Sequence, residues 1–274
     1  MGLLNPEIEE FYRKFDEQQR LSGERGALEK LRTQAILARH LPPPPAVVID
    51  VGGAAGAHAF PLAEGRGYDV HLVDPVTLHV EQASARAKGS SISLASIVLG
   101  DARKLEFASS QADAILLLGP LYHLTEAGDR IRALRETFRV LKPGGVLIAA
   151  EISRFASFIE ALSAGGLRDA AFRDIIGNDL LSGQPRNSTG HTVYFTTAYF
   201  HRPEDLAAEL EQAGFNAVRG LAVEGPGWAS AGIHDAMTDP TQREKVLAFL
   251  STIEAEPSIL GASAHFVAIG RKPN

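Results

Sequence analysis

The stretch Val47-Val48-Ile49-Asp50-Val51-Gly52-Gly53-Ala54-Ala55-Gly56 limits the fold of this chain more than any other. β-Branched residues deliver the chain as a buried strand, Asp50 interrupts the apolar run, and glycines follow. Glycine accepts positive φ at little cost and lets the backbone come close to a ligand. A helix opening after Gly56 points its unpaired N–H groups into the same space. Strand, acid, glycine turn and helix together form one wall of a pocket for a small ligand. What that turn holds therefore decides most of the function.

Strand and helix signals alternate along the rest of the sequence. Pro6 to Gln19 and Glu24 to His40 read as helices, the second with Leu28, Leu31, Ala35 and Ala38 at helical spacing. Pro42 to Pro45 stop it. Strands are expected at Ala46–Val51, Tyr68–Val73, Ser96–Leu99, Asp113–Leu118, Val146–Ala150, Phe215–Val223 and Ala264–Arg271. Helices are expected at Gly56–Glu64 and Leu78–Lys88. Another begins with Thr125 as N-cap and carries Ile131, Leu134 and Phe138 on one face. Lys142-Pro143-Gly144-Gly145 reads as a helix stop and turn, and Pro203 opens a helix that closes at Gly214. This order predicts an α/β fold with a doubly wound, mostly parallel seven-stranded sheet. Residues 1–41 form an N-terminal helical cap on a domain spanning 46–274. Residues 152–200 break the alternation and are expected to be a cap segment inserted over the carboxyl edge of the sheet, where such folds bind ligands.

Charge and composition narrow the partners. The net charge of −6 and the absence of a basic tract argue against nucleic acid or an anionic membrane surface. No apolar run approaches the ~18 residues of a membrane helix. Met1 to Glu10 carries acids where a secretory signal needs a basic region and an apolar core. Cysteine is absent, which removes disulfides, thiolate metal sites and cysteine nucleophiles and fits a cytoplasmic protein. Asp169, Asp174 and Asp179 are spaced for neither a helical face nor a calcium loop, and are read as a solvated face rather than a metal site.

Four segments in order resemble the class I S-adenosylmethionine-dependent methyltransferases, of the small-molecule type 11/25 kind, over roughly residues 46–150. Asp50-Val51-Gly52-Gly53-Ala54-Ala55-Gly56 is similar to their first motif, with Ala54 where a glycine is usual. Asp74, followed by Pro75, resembles the acid that ends the second strand and holds the ribose hydroxyls. Gly100-Asp101-Ala102 resembles the segment that receives adenine. Val140-Leu141-Lys142-Pro143-Gly144-Gly145 is similar to the turn before the fifth strand. The resemblance implies the Rossmann-like methyltransferase fold, S-adenosylmethionine as cofactor, and transfer of its methyl group to an O, N or C nucleophile of a small metabolite.

The residue chemistry agrees with those roles. A carboxylate at Asp50 can attract an ammonium, directly or through water, and Gly52, Gly53 and Gly56 let the backbone pass close to it. Two hydroxyls of one sugar can both donate to Asp74, and Asp101 can accept from an exocyclic amine. Leu118 ends the fourth strand beside the cofactor. The resemblance also implies a basic residue from the N-terminal segment for the cofactor's carboxylate, either Arg20 or Arg32. An NAD(P)-dependent oxidoreductase is the rival enzyme, but only one of its three fingerprint positions is glycine here: Gly52, with Ala54 and Ala57 at the others. A non-catalytic S-adenosylmethionine-binding protein is the other alternative.

Methyl transfer asks the protein to align the nucleophile, exclude water and sometimes remove a proton. His123, just after the fourth strand, is the candidate base or orienting residue because its ordinary pKa is near neutrality; packing against the next helix is the competing role. Phe11, Tyr12 and Phe15 share a helical face and can cover the site. Tyr12, Phe15 and Tyr122 are candidate substrate contacts. So are Tyr194 and Tyr199, from the ring-rich stretch His191 to His201, and Trp228 on a late loop. The acceptor is expected to be a small molecule; the acceptor atom and a homodimer are left open.

Overall fold

The computed structural model describes residues 4–15, 17–21, 23–184, 187, 191 and 194–274. Seven strands form one sheet in the order β3-β2-β1-β4-β5-β7-β6. They are β1 (Ala46–Val51), β2 (Tyr68–Asp74), β3 (Ser96–Leu99), β4 (Ala112–Leu117), β5 (Leu141–Ile152), β6 (Asn216–Ala222) and β7 (His265–Arg271). β1 to β5 pair in parallel, and β7 runs antiparallel to both β5 and β6. The order reverses between β1 and β4, the switch point at which open α/β sheets bind ligands.

The central strands are apolar on both faces because helices cover both. Alternate residues of β1, Ile49 and Val51, join one core with Ala133 and Leu134 of α6 (Ala127–Val140) and Leu206 and Leu210 of α9 (Pro203–Gln212). Their neighbours Ala46 and Val48 face the other core, built with α3 (Glu24–His40), α4 (Ala59–Arg66) and α5 (Thr77–Lys88). Upstream lie α1 (Pro6–Lys14), which Asn5 caps through the N–H of Glu7, and the single turn α2 (Glu17–Arg20). Between β5 and α9 stand α7 (Ala156–Ala164) and α8 (Ala170–Ser182), and after β6 come α10 (Ile233–Thr238), α11 (Pro240–Ile253) and α12 (Pro257–Leu260).

Three local readings change. The helix expected over Pro6–Gln19 ends at Lys14, with Phe15 in extended backbone. Glu126, rather than Thr125, stands at the N-cap of α6. Lys142-Pro143-Gly144-Gly145 lies inside β5, which already pairs at Leu141 with Ala112; the register shift between Ala112 and Ala114 is a bulge that takes up Pro143's missing N–H. No helix among the described residues is long and apolar enough to cross a membrane.

Candidate active site

A cavity of about 740 Å³ opens at the carboxyl edge of the sheet. Its floor is the turn after β1. Gly52 has φ +74, and a Cβ there would lie 2.6 Å from the Pro120 ring. A Cβ on Gly53 would lie 2.7 Å from Asp50 Oδ2, so only glycine leaves that carboxylate its place. Ala54, the residue that departs from the family pattern, takes positive φ (+47) and donates its N–H to Asp74 Oδ2 at 2.8 Å. The turn is stitched to β2 by Gly52 N donating to Val73 O at 2.7 Å.

Asp50 is 1 % exposed, and its Oδ2 has no hydrogen-bond partner. Burial, reinforced by the charge of Asp74, pushes its carboxyl up to about 7. A buried carboxylate oxygen without a donor is costly unless a cation meets it. Asp74 is better satisfied: Oδ1 accepts from Val76 N at 2.9 Å and lies 3.0 Å from His79 Nδ1. Pro75, Leu118, Gly52, Gly53 and Tyr122 also line the cavity, whereas Gly56 turns the chain behind it and packs on Phe60.

Several expected contacts stand elsewhere. Arg32 is fully buried away from the cavity, donating to Val223 O (2.9 Å), Ser251 Oγ (2.7 Å) and Glu254 (2.5 Å), so its guanidinium is a structural clamp. Arg20 does line the cavity, held by Glu17 and by a two-bond grip on Glu29. Asp101 does not line it. Its carboxylate is wrapped by the backbone N and guanidinium of Arg103, because the turn after β3 folds Arg103 back onto it. Ala102 is core packing. Phe15 stacks on Phe11 in the small apolar cluster under α1.

The ring-rich stretch is irregular where it is described, not an alternating strand. Tyr194 bonds Asp169, Tyr199 lies under the Arg130 guanidinium at 3.9 Å, and Trp228 donates to Ala262 O at 3.0 Å; none of the three lines the cavity. Phe195 instead stacks on His123. Of the three aspartates read as a solvated face, Asp179 is buried against Ser157, and burial raises it to about 7.

His123 reaches the cavity but loses the property that recommended it as a base. Its Nε2 is 2.7 Å from Tyr12 Oη, and the rings of Tyr122 and Phe195 enclose it. Burial, with the neighbouring His79, lowers it to about 3, so it stays neutral across the working pH range. The pair joins α1 to the segment after β4. The sequence reading missed four other cavity groups or neighbours: His58, Glu29, His265 and, behind His265, Glu224. His58 stands at the N-cap of α4, and Glu29 lies in the second turn of α3. His265 is brought to the same edge only because β7 is antiparallel, a pairing that no local pattern announces.

A family model described as a methyltransferase domain matches residues 48–145, the span from β1 into β5. The ubiquinone/menaquinone biosynthesis C-methyltransferase of Caulobacter sp. strain K31 is 28% identical over 218 residues, covering 74% of this chain and 83% of that protein. These matches support a class I S-adenosylmethionine-dependent methyltransferase. S-Adenosylmethionine is the methyltransferase's cofactor, and the buried, donorless Asp50 oxygen below a glycine turn suits its cationic end. The namesake enzyme of Brucella abortus is 29% identical over 193 residues, covering 66% of this chain and 68% of its own. A possible histamine N-methyltransferase from Thermotoga maritima shares the fold at TM-score 0.58 and 18% identity, covering 97% of this chain and 98% of that one.

Proposed function

We propose that this methyltransferase moves the methyl group of S-adenosylmethionine to a small metabolite inside the 740 Å³ cavity. The observation that carries the residue assignment is Asp50 Oδ2, buried, unpartnered and set under the glycine turn. Asp50 holds the amino group of the cofactor, and Asp74 accepts from the ribose hydroxyls. Pro75 and Leu118 flank the nucleoside, and the backbone of Gly52 and Gly53 lies alongside. Arg20, the basic residue of the N-terminal segment that lines this cavity, is held there by Glu17 and Glu29. When bound, the cofactor supplies an electrophilic methyl on sulfur, so the protein's own part is positioning and exclusion of water.

The covers do that second task. Ile8, Phe11 and Tyr12 of α1 pack on Val76 and Phe195, and Tyr12 bonds His123, both of which line the cavity. Among the described residues, α1 to α3, with Phe195 packed on α1, accordingly cover the cavity of the domain spanning 46–274. The named C-methyltransferase relatives support a small ring-bearing acceptor over a macromolecule. Calorimetry tests the reading: the full chain is expected to bind S-adenosylhomocysteine and not NAD. Binding of NAD alone would transfer the chain to the oxidoreductase alternative, and cofactor binding without any methylated product in a metabolite screen would leave it a non-catalytic binder.

A further inference from the structure

Asp74 and Asp50 mark the cavity at the ends of β2 and β1. Past β4 and β5, His265 opens β7 and Val223 follows β6 on the same cavity. At ~4.8 Å per strand, β7 lies about 14 Å from β1. That length leaves room for a second molecule beside a nucleoside held at β1 and β2.

A fixed His–carboxylate pair stands there. Glu224 Oε2 accepts from Ser263 Oγ and from His265 N, both at 3.0 Å, so its carboxylate is anchored. Its Oε1 lies 2.6 Å from His265 Nδ1. An anchored acceptor at Nδ1 selects the Nδ1–H tautomer and leaves Nε2 as the nitrogen for a ligand. Glu224 is 3% exposed at its side chain and His265 24%, so the acid is sealed behind a ring that the cavity reaches. Glu29, gripped by Arg20, lies 3.8 Å from the same Nδ1. Burial alone would lower the imidazole, but Glu29 and Glu224 outweigh it and bring His265 to about 9. The ring is therefore protonated at neutral pH, and a phenol, which ordinarily titrates near ~10, is drawn toward its anion by that positive charge. His123 has neither the orienting acid nor a free Nε2.

We propose that His265, oriented by Glu224, donates its Nε2–H to the ionised hydroxyl of the methyl acceptor, a phenol or an enol, and so holds that group as the anion. The assignment rests on the cofactor reading above. The acceptor's O–H bond breaks, its proton leaves to solvent, and the electron pair stays on oxygen, where Nε2–H donates to it. That charge makes the oxygen, or the ring carbon conjugated with it, the nucleophile. The new bond to methyl forms as the S–CH₃ bond breaks, its electron pair returning to sulfur. Attack through carbon then loses the ring proton to solvent, and His265 keeps its own.

2-Naphthol is the probe, because its ionised form absorbs at longer wavelength. It is titrated at pH 7.5 into the full chain saturated with S-adenosylhomocysteine. The wild type is expected to bind it and show the ionised band. His265→Gln is expected to bind S-adenosylhomocysteine normally, to bind naphthol at least ~10-fold more weakly and to show no band, since a charge-assisted hydrogen bond is lost. Glu224→Gln tests the pair independently and should reduce the band while keeping the ring. No ionised band in the wild type, or a band that survives in His265→Gln, overturns the proposal. So does a loss of S-adenosylhomocysteine affinity in His265→Gln, which assigns the ring to the cofactor. If the wild type binds no S-adenosylhomocysteine, the cofactor reading has failed instead, and this is seen before naphthol is added.

Discussion

Holding a carboxyl at about 7 in the site proposed for the cofactor's amino group has a measurable consequence. The proposed contact needs Asp50 ionised, yet the empty protein below neutrality keeps it protonated. At pH 5.5 only ~3% of empty molecules carry the carboxylate, against ~75% at pH 7.5, for a group titrating near 7. Affinity for S-adenosylhomocysteine should therefore weaken about 25-fold from pH 7.5 to pH 5.5, or ~1.9 kcal/mol. The missing proton must appear in solution. Calorimetry at each pH in two buffers of different ionisation enthalpy should show proton release on binding that grows as pH falls. Asp50→Asn should bind more weakly at pH 7.5, by ~1.5–3 kcal/mol from loss of a charged partner. The slope between the two pH values should flatten in the same variant. A wild-type affinity that does not change over this range, or a slope that persists in Asp50→Asn, would refute the role given to Asp50.

Three other outcomes follow from the same geometry. Asp74→Asn keeps the side chain's shape and removes its charge, and should weaken S-adenosylhomocysteine by ~1–3 kcal/mol; unchanged affinity in calorimetry would take Asp74 off the ribose. Arg32→Met leaves the buried Glu254 with Arg39 alone, and should cost about 3 kcal/mol in chemical denaturation while cofactor affinity holds; lost affinity at full stability would make Arg32 a ligand after all. His201 is buried, yet Glu151 at 3.0 Å and Glu209 at 3.2 Å overcome burial and raise it to about 9. A raised histidine adds stability that is complete below its unfolded value near ~6.5 and fades as pH rises through 9. The melting temperature should thus fall from pH 7 to pH 10, less steeply in His201→Asn; equal slopes would contradict the pairing.

The parts of the site held by short-range pattern were legible in the sequence. β1, its acid and its glycines lie within ten residues, and the alternation of strand and helix signals implies the parallel sheet that positions them. Asp74 lines the same cavity because it ends the next strand. What depended on distant partners was not legible. Arg20 and Arg32 look alike from sequence, and only Glu254, 222 positions from Arg32, decides that Arg32 is a clamp. Asp101 looked like an adenine ligand until Arg103 folded back on it. His123 was judged by its ordinary pKa, whereas burial among Tyr12, Tyr122 and Phe195 sets its actual one. The helices from Ile233 to Leu260 went unread, since α11 has a single buried residue, Leu250, and so little helical periodicity to announce it.

A crystal structure of the full chain with S-adenosylhomocysteine tests the central claim most directly. Both ribose hydroxyls should lie within hydrogen-bond distance of the Asp74 carboxylate, with the amino group beside Asp50 above Gly52 and Gly53. A nucleoside bound at any other place on the sheet edge, with Asp50 still facing no cation, would contradict the account.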